Sequence, residues 1–156
     1  MTYSNGTPEW NKDKVSFGLR RRQVLIDSKV LAQRIAFISQ EKKAEDVMIL
    51  DMRHLSSFFE YFVIVSGASL RQVNAIAGAI QDDLTRENIK SYSRVPAQDE
   101  SGWIVLDYSA VVAHVFYKPK REFYALERLW SDAKKVRVSK RIPRTAALQQ
   151  SKSIRS

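Results

Sequence analysis

Ser66-Gly67-Ala68-Ser69 follows an apolar run and precedes a helical pattern, the place where exposed helix amides can bind a phosphate. Nucleotidyltransferases use such a strand–Gly-Ser–helix junction, and hold catalytic magnesium with carboxylates on an adjacent strand. Asp51 and Asp107 each close a strand-like run and are the carboxylates available for that role. The competing reading is turn chemistry, a common use of Asp at strand ends. Asp82 and Asp83 are mid-helix neighbours that point apart, and Asp82 is spaced for an i,i+4 pair with Arg86. No Gly-x-Gly-x-x-Gly and no Walker Lys-Ser/Thr accompanies Gly67. The chain has no cysteine and two histidines, His54 and His114, so thiolate metal sites, disulfides and a cysteine nucleophile are excluded. No Gly-x-Ser-x-Gly elbow is present. His54 reads as a solvated loop residue. His114 reads as a buried or half-buried histidine bonded to a neighbour, with no nearby partners that would make it a base or a ligand. The expectation is turn and capping chemistry, with no metal and no cofactor.

Around these residues, the stretch Gly102–Phe116 organises the chain. Trp103–Leu106 and Val111–Phe116 are rich in β-branched and aromatic residues, and Asp107–Ala110 is a polar break short enough for a tight turn. This predicts a central hairpin. Alternation puts Trp103, Val105 and Asp107 on one face of its first strand, and Ile104, Leu106 and Tyr108 on the other. Both faces are mostly apolar, as expected where helices cover one face and the other is left for a partner. Trp103 is read either as core or as a contact. Tryptophan beside Asp107 and Tyr108 is a mix favoured at interfaces.

The remaining elements follow from period and capping. Ser28 as N-cap with Leu31, Ile35 and Ile38 predicts a helix over 29–43. Val47–Asp51 and Tyr61–Val65 read as buried strands, joined through Met52–Glu60. Ser69 with Gln72 forms a capping box, and Val73, Ile76, Ala77, Ile80 and Leu84 lie on one stripe. That helix should end near Glu87, with Asn88 as its stop. Lys90–Val95 is taken as a strand cut off by Pro96. Pro119 opens a last helix, whose apolar face is Phe123, Leu126, Leu129 and Trp130. After Ser131 periodicity is lost. The order predicts an α/β fold, a mixed β-sheet flanked by helices.

The 156 residues make one domain, 28–130, with a flexible N-terminal arm over 1–27 and a basic disordered tail over 131–156. The net charge of +9 is unevenly distributed. Residues 29–130 balance 13 basic against 13 acidic side chains, while 131–156 carry 8 basic and 1 acidic. A basic tail of this kind suits a polyanion such as RNA. Lys134, Lys135, Arg137, Lys140, Arg141 and Arg144 are the expected contacts. The apolar runs are too short for a membrane span, and the amino-terminus has no hydrophobic signal core. A cytoplasmic location is expected.

Four ordered motifs then carry a resemblance. Glu60-Tyr-Phe-Val-Ile-Val-Ser-Gly-Ala-Ser69 with Arg71-Gln-Val73 resembles Asp-Tyr-Phe-Val-Ile-x-Ser-Gly-x-Ser-x-Arg-Gln-Val of the Iojap/RsfS ribosomal silencing factors. Trp103-Ile-Val-Leu-Asp-Tyr108, then Val111-Val112 with His114-Val-Phe116, then Arg121–Trp130 follow in the family's order. Glu60 stands where the family has Asp, a change that keeps the charge. The resemblance spans about Leu31 to Trp130. It implies a nucleotidyltransferase-like fold without catalytic carboxylates, and a role that is not enzymatic. It further implies binding to the large ribosomal subunit through its protein fourteen, which obstructs joining with the small subunit and lowers translation. On that basis the expected partner contacts are Trp103, Leu106, Asp107 and Tyr108, supported by Val111 and His114. Self-association is left open, and a magnesium-dependent nucleotidyltransferase-like enzyme is the alternative.

Overall fold

The computed structural model describes residues 26–141. Helix α1 spans Ser28–Glu41 and buries Leu31, Ala32, Ile35, Ala36 and Ile38. Its N-cap is Asp27, whose carboxylate accepts from the amides of Lys29 and Val30. The expected cap, Ser28, instead donates to Glu60 at 2.7 Å. An aspartate at the cap satisfies orphan amides and also favours the positive helix pole.

Strand β1 (Glu45–Asp51) pairs antiparallel with β2 (Tyr61–Gly67), across an irregularity between Glu45 and Met48. Every residue of β2 is buried, the signature of a strand covered on both faces. Helix α2 (Leu70–Arg86) follows, with Val73, Ile76, Ala77, Ile80 and Leu84 as its buried stripe, as the period predicts. Its capping box also forms. Ser69 Oγ accepts from the Gln72 amide at 3.1 Å, and Gln72 Oε1 accepts from the Ala68 amide at 2.6 Å. Asn88 takes a left-handed φ of 64° just past the helix, and the Ile89 amide returns to the Leu84 carbonyl. Arg86 pairs with Asp83 at i,i+3 rather than with Asp82.

Residues 90–95 do not form the expected strand. Their backbone instead borders β3 (Trp103–Asp107): the Tyr92 amide donates to the Asp107 carbonyl, and Ser93 Oγ accepts from the Asp107 amide. One end of an open strand edge is thereby closed. β3 turns into β4 (Val111–Tyr117) as the expected hairpin. Ser109 adopts φ 72° in the turn, and Asp107 Oδ1 accepts its amide at 2.8 Å.

The sheet order is β3-β4-β2-β1-β5. β2 and β4 run parallel and the other pairs are antiparallel. The hairpin is therefore not central, because β3 is an edge and β2 occupies the middle. The reason is the crossover through α2, which returns the chain beside β2 only at β4.

After β4, the single helix expected from Pro119 is broken in two, α3 (Lys118–Tyr124) and α4 (Leu126–Leu129). Ala125 sits between them at φ 45° in the left-handed region. Of the expected apolar face only Leu126 is buried, whereas Phe123 and Leu129 are 77% and 74% exposed. The tail also departs from expectation. Lys134–Val136 forms β5 against β1, pairing Ile49 with Val136, Leu50 with Lys135 and Asp51 with Lys134. Val136 and Val138 pack on the main core. Arg144 and most of the N-terminal arm lie outside the described residues.

Two apolar layers result. One packs α1 and α2 on one sheet face, and includes Ile49, Val63, Leu106, Val111 and Val115. The smaller one, on the opposite face, gathers Leu50, Met52, Phe62, Ile64, Val112, Phe116 and Leu126 with Trp103 and Trp130.

Candidate binding surface

The functional residues nominated by sequence fall on different faces of the sheet. Leu106 and Val111 are fully buried and Tyr108 nearly so, all within the layer beneath α1 and α2. Burial also pushes the Tyr108 phenol above its ordinary pKa. These three are corrected from partner contacts to core residues, because strand alternation sends them inward. Trp103, Asp107 and His114 belong to the other face, opposite the two long helices.

On that face an aromatic array crosses the sheet. Trp103 stacks on Phe116 with centroids 4.8 Å apart and an interplanar angle of 26°. It also lies 4.9 Å from the Tyr124 ring. His114 meets Phe62 edge-on at 4.8 Å, and Phe62 meets Trp130 at 6.0 Å and 88°. Phe123 is set edge-on against Tyr124 at 5.1 Å. Offset and edge-to-face pairs of this kind suit the aromatic quadrupole. The left-handed turn at Ala125 ends α3 directly after Tyr124, which lies against Trp103 while Phe123 remains in solvent. Val105, between Trp103 and Asp107 on β3, is partly exposed on the same face. The alternation already groups it with Trp103, so it is a site residue that sequence reasoning could have named. Phe123 and Tyr124 carry no such signal, since their exposure depends on the helix break.

One hydrogen bond anchors the array. Trp103 Nε1 donates to His114 Nδ1 at 3.2 Å. An indole N–H only donates, so Nδ1 is unprotonated and the imidazole proton sits on Nε2, which has no partner among the described residues. Burial lowers the His114 pKa from near 6.5 to about 4. The folded state thus resists protonation that the unfolded chain accepts. His114 contributes full stability above pH 6.5, and that contribution is lost as pH falls toward 4, up to about 3 kcal/mol. Thermal midpoints of wild type and His114→Phe, compared at pH 7 and pH 4.5, should show the wild type losing several degrees more than the variant. Parallel pH profiles would mean that His114 is not held neutral by the fold.

The residues of the phosphate and magnesium reading are otherwise engaged. Asp51 and Asp107 stand on strands three positions apart, roughly 14 Å by strand spacing. Arg53 binds both oxygens of Asp51, at 2.9 and 2.7 Å, and holds its pKa down at about 2. Ser66 is fully buried and accepts from Arg121 Nη1 at 2.9 Å. A Cβ on Gly67 would come within 2.9 Å of Val73, so this glycine lets strand and helix pack closely. No group of three or more metal-ligating side chains occurs among the described residues. His54 is exposed in the loop after β1.

The fold is a mixed α/β sheet with its two long helices on one face and, on the other, the aromatic array together with the short helices α3 and α4. Residues 26–156 match the family model described as ribosomal silencing factor during starvation, RsfS, and the chain belongs to that family. It is 38% identical over 108 residues to the ribosomal silencing factor RsfS of Bacillus subtilis, covering 69% of this chain and 91% of the relative. It is 32% identical over 104 residues to the chloroplastic protein Iojap of Zea mays, covering 65% of this chain and 44% of that protein. A crystal structure from Bacillus halodurans aligns with TM-score 0.61 at 32% identity, over 71% of this chain and 99% of the other. No helix among the described residues is long and apolar enough to cross a membrane.

Proposed function

We propose that this protein silences translation by docking its aromatic face on the large ribosomal subunit, at protein fourteen, and sterically blocking the small subunit. The observation that carries this reading is the array held by the Trp103–His114 bond, flanked by exposed Val105, Tyr124 and Phe123. Aromatic anchors fixed in place lose little side-chain entropy on binding and are typical of hot spots. Steric exclusion needs no cofactor and no catalytic group. Asp107 lies at the rim, where its carboxylate already supports the turn. The enzymatic alternative is disfavoured by the separation of Asp51 from Asp107, and a magnesium-dependent ATP titration with no saturable binding would agree.

The test is sedimentation with purified large and small subunits. Wild type should travel with the large subunit only and should suppress subunit joining. Val105→Asp places a charge on the face without emptying the core, so the thermal midpoint should hold within a few degrees. Its affinity for the large subunit should fall about thirtyfold or more, matching roughly 2 kcal/mol of hot-spot energy. Wild-type affinity in this variant would remove the face from the interface.

A further inference from the structure

We propose that the outer edge of β5 and its extension form a contact for the phosphate backbone of RNA, separate from the aromatic docking face but turned toward the same partner. The segment is held in place rather than trailing. Gln33 on α1 clamps its backbone in both directions: Gln33 Nε2 donates to the Arg137 carbonyl at 2.8 Å, and Gln33 Oε1 accepts from the Ser139 amide at 2.7 Å. Val136 and Val138 point into the helix-side core. Alternation sends Lys135 and Arg137 the other way, and both are exposed, as are Lys140 and Arg141. Lys135 pairs with Leu50, a residue of the aromatic-side layer, so Lys135 and, by alternation, Arg137 lie on the docking side of the sheet, and Lys140 and Arg141 follow within four residues. Four strand spacings, about 19 Å, separate β5 from β3 and its Val105.

Among the described residues none of these four cations is in a salt bridge. Asp132 is the one acidic residue in the whole segment 131–156, against 8 basic ones. A run of unpaired cations on a short strand and the clamped segment that continues it, with the rest of the domain neutral, fits a regular polyanion better than the irregular charge of a protein surface. This inference rests on the ribosomal reading only for where the RNA is met.

The experiment uses the full chain carrying Lys135→Gln, Arg137→Gln, Lys140→Gln and Arg141→Gln together. A control carries Lys42→Gln, Lys43→Gln, Lys90→Gln and Arg94→Gln, the same charge removed elsewhere. Affinity is measured from about 50 to 300 mM KCl, for isolated large subunits and for a bare ribosomal RNA helix. The edge variant should flatten the logarithmic salt slope on both targets by up to about 0.7–0.9 for each phosphate left without its cation, and lower affinity more than tenfold at low salt. The control should stay close to wild type. Equal losses in edge variant and control would reduce the effect to net charge and overturn the proposal. A loss on subunits with none on bare RNA would point to an acidic protein and would also overturn it. Failure of the docking reading is distinguishable, because Val105→Asp would then bind normally while the edge variant still flattened the slope.

Discussion

Leu106→Ala is expected to destabilise the domain by about 2–5 kcal/mol, the range for truncating a fully buried leucine where the surroundings collapse only in part. For a domain of this size that lowers the thermal midpoint by on the order of 10 °C. The adjacent Val105→Asp should do the reverse, sparing stability and removing affinity. The two residues share a strand and differ by one step, so the pair tests the assignment of faces directly. Leu106 packs with Val111, Ala113 and Val115 under α1 and α2. Urea titration of both variants, with large-subunit binding measured well below the midpoint, separates the outcomes. A stable Leu106→Ala that failed to bind would mean that β3 presents its other face to the partner.

Arg121→Met should cost about 3 kcal/mol, the scale of breaking a buried polar network from one side. Arg121 is 6% exposed, and its guanidinium joins three parts of the fold. Nη1 donates to the Asp46 carbonyl at 2.6 Å and to Ser66 Oγ at 2.9 Å, while Nε donates to Glu127 at 3.1 Å. Asp46 lies in the irregular part of β1 at φ 48°, and its carbonyl faces inward for this bond. Methionine fills similar volume but strands the hydroxyl, the carbonyl and the carboxylate, and orphaned buried polar groups are what make such losses large. Glu127 Oε2 already has no partner among the described residues. Arg121→Lys should recover only part, because one ammonium cannot reproduce a planar fork with bonds in several directions. The same tether fixes α3, which carries Phe123 and Tyr124, so binding should weaken even where the variant remains folded. A loss below about 1 kcal/mol in equilibrium unfolding, no more than an ordinary exposed pair is worth, would show that Arg121 is not needed to seat α3.

Much of the local structure was legible without any coordinates. The stripe from Val73 to Leu84, the capping box of Ser69 and Gln72, and the stop at Asn88 follow from neighbours within a turn or two, and each formed. The hairpin and the two faces of Trp103–Tyr108 were equally plain, since side-chain alternation is a property of the backbone itself. The chemistry-bearing residues could be weighed but not placed. Asp51 and Asp107 each end a strand, and only the strand order shows them too far apart to share a metal.

Other features depended on partners distant in sequence. Lys134-Lys135-Val136 has no period that predicts a strand, and forms one because β1 offers an open edge and Gln33, far earlier in the chain, clamps the residues that follow it. The Trp103–His114 bond joins residues opposite each other only diagonally across the hairpin, and its effect on the imidazole comes from burial that no local window contains. Leu106, Tyr108 and Val111 are expected at the surface only through the family resemblance, which assigns the partner contact to the hairpin as a whole without separating its two faces. α1 and α2 settle which face is sealed beneath long helices, because both of their apolar stripes pack on the side of the sheet that carries Leu106, Tyr108 and Val111, while Trp103 and His114 lie on the opposite side with Phe116 and Leu126.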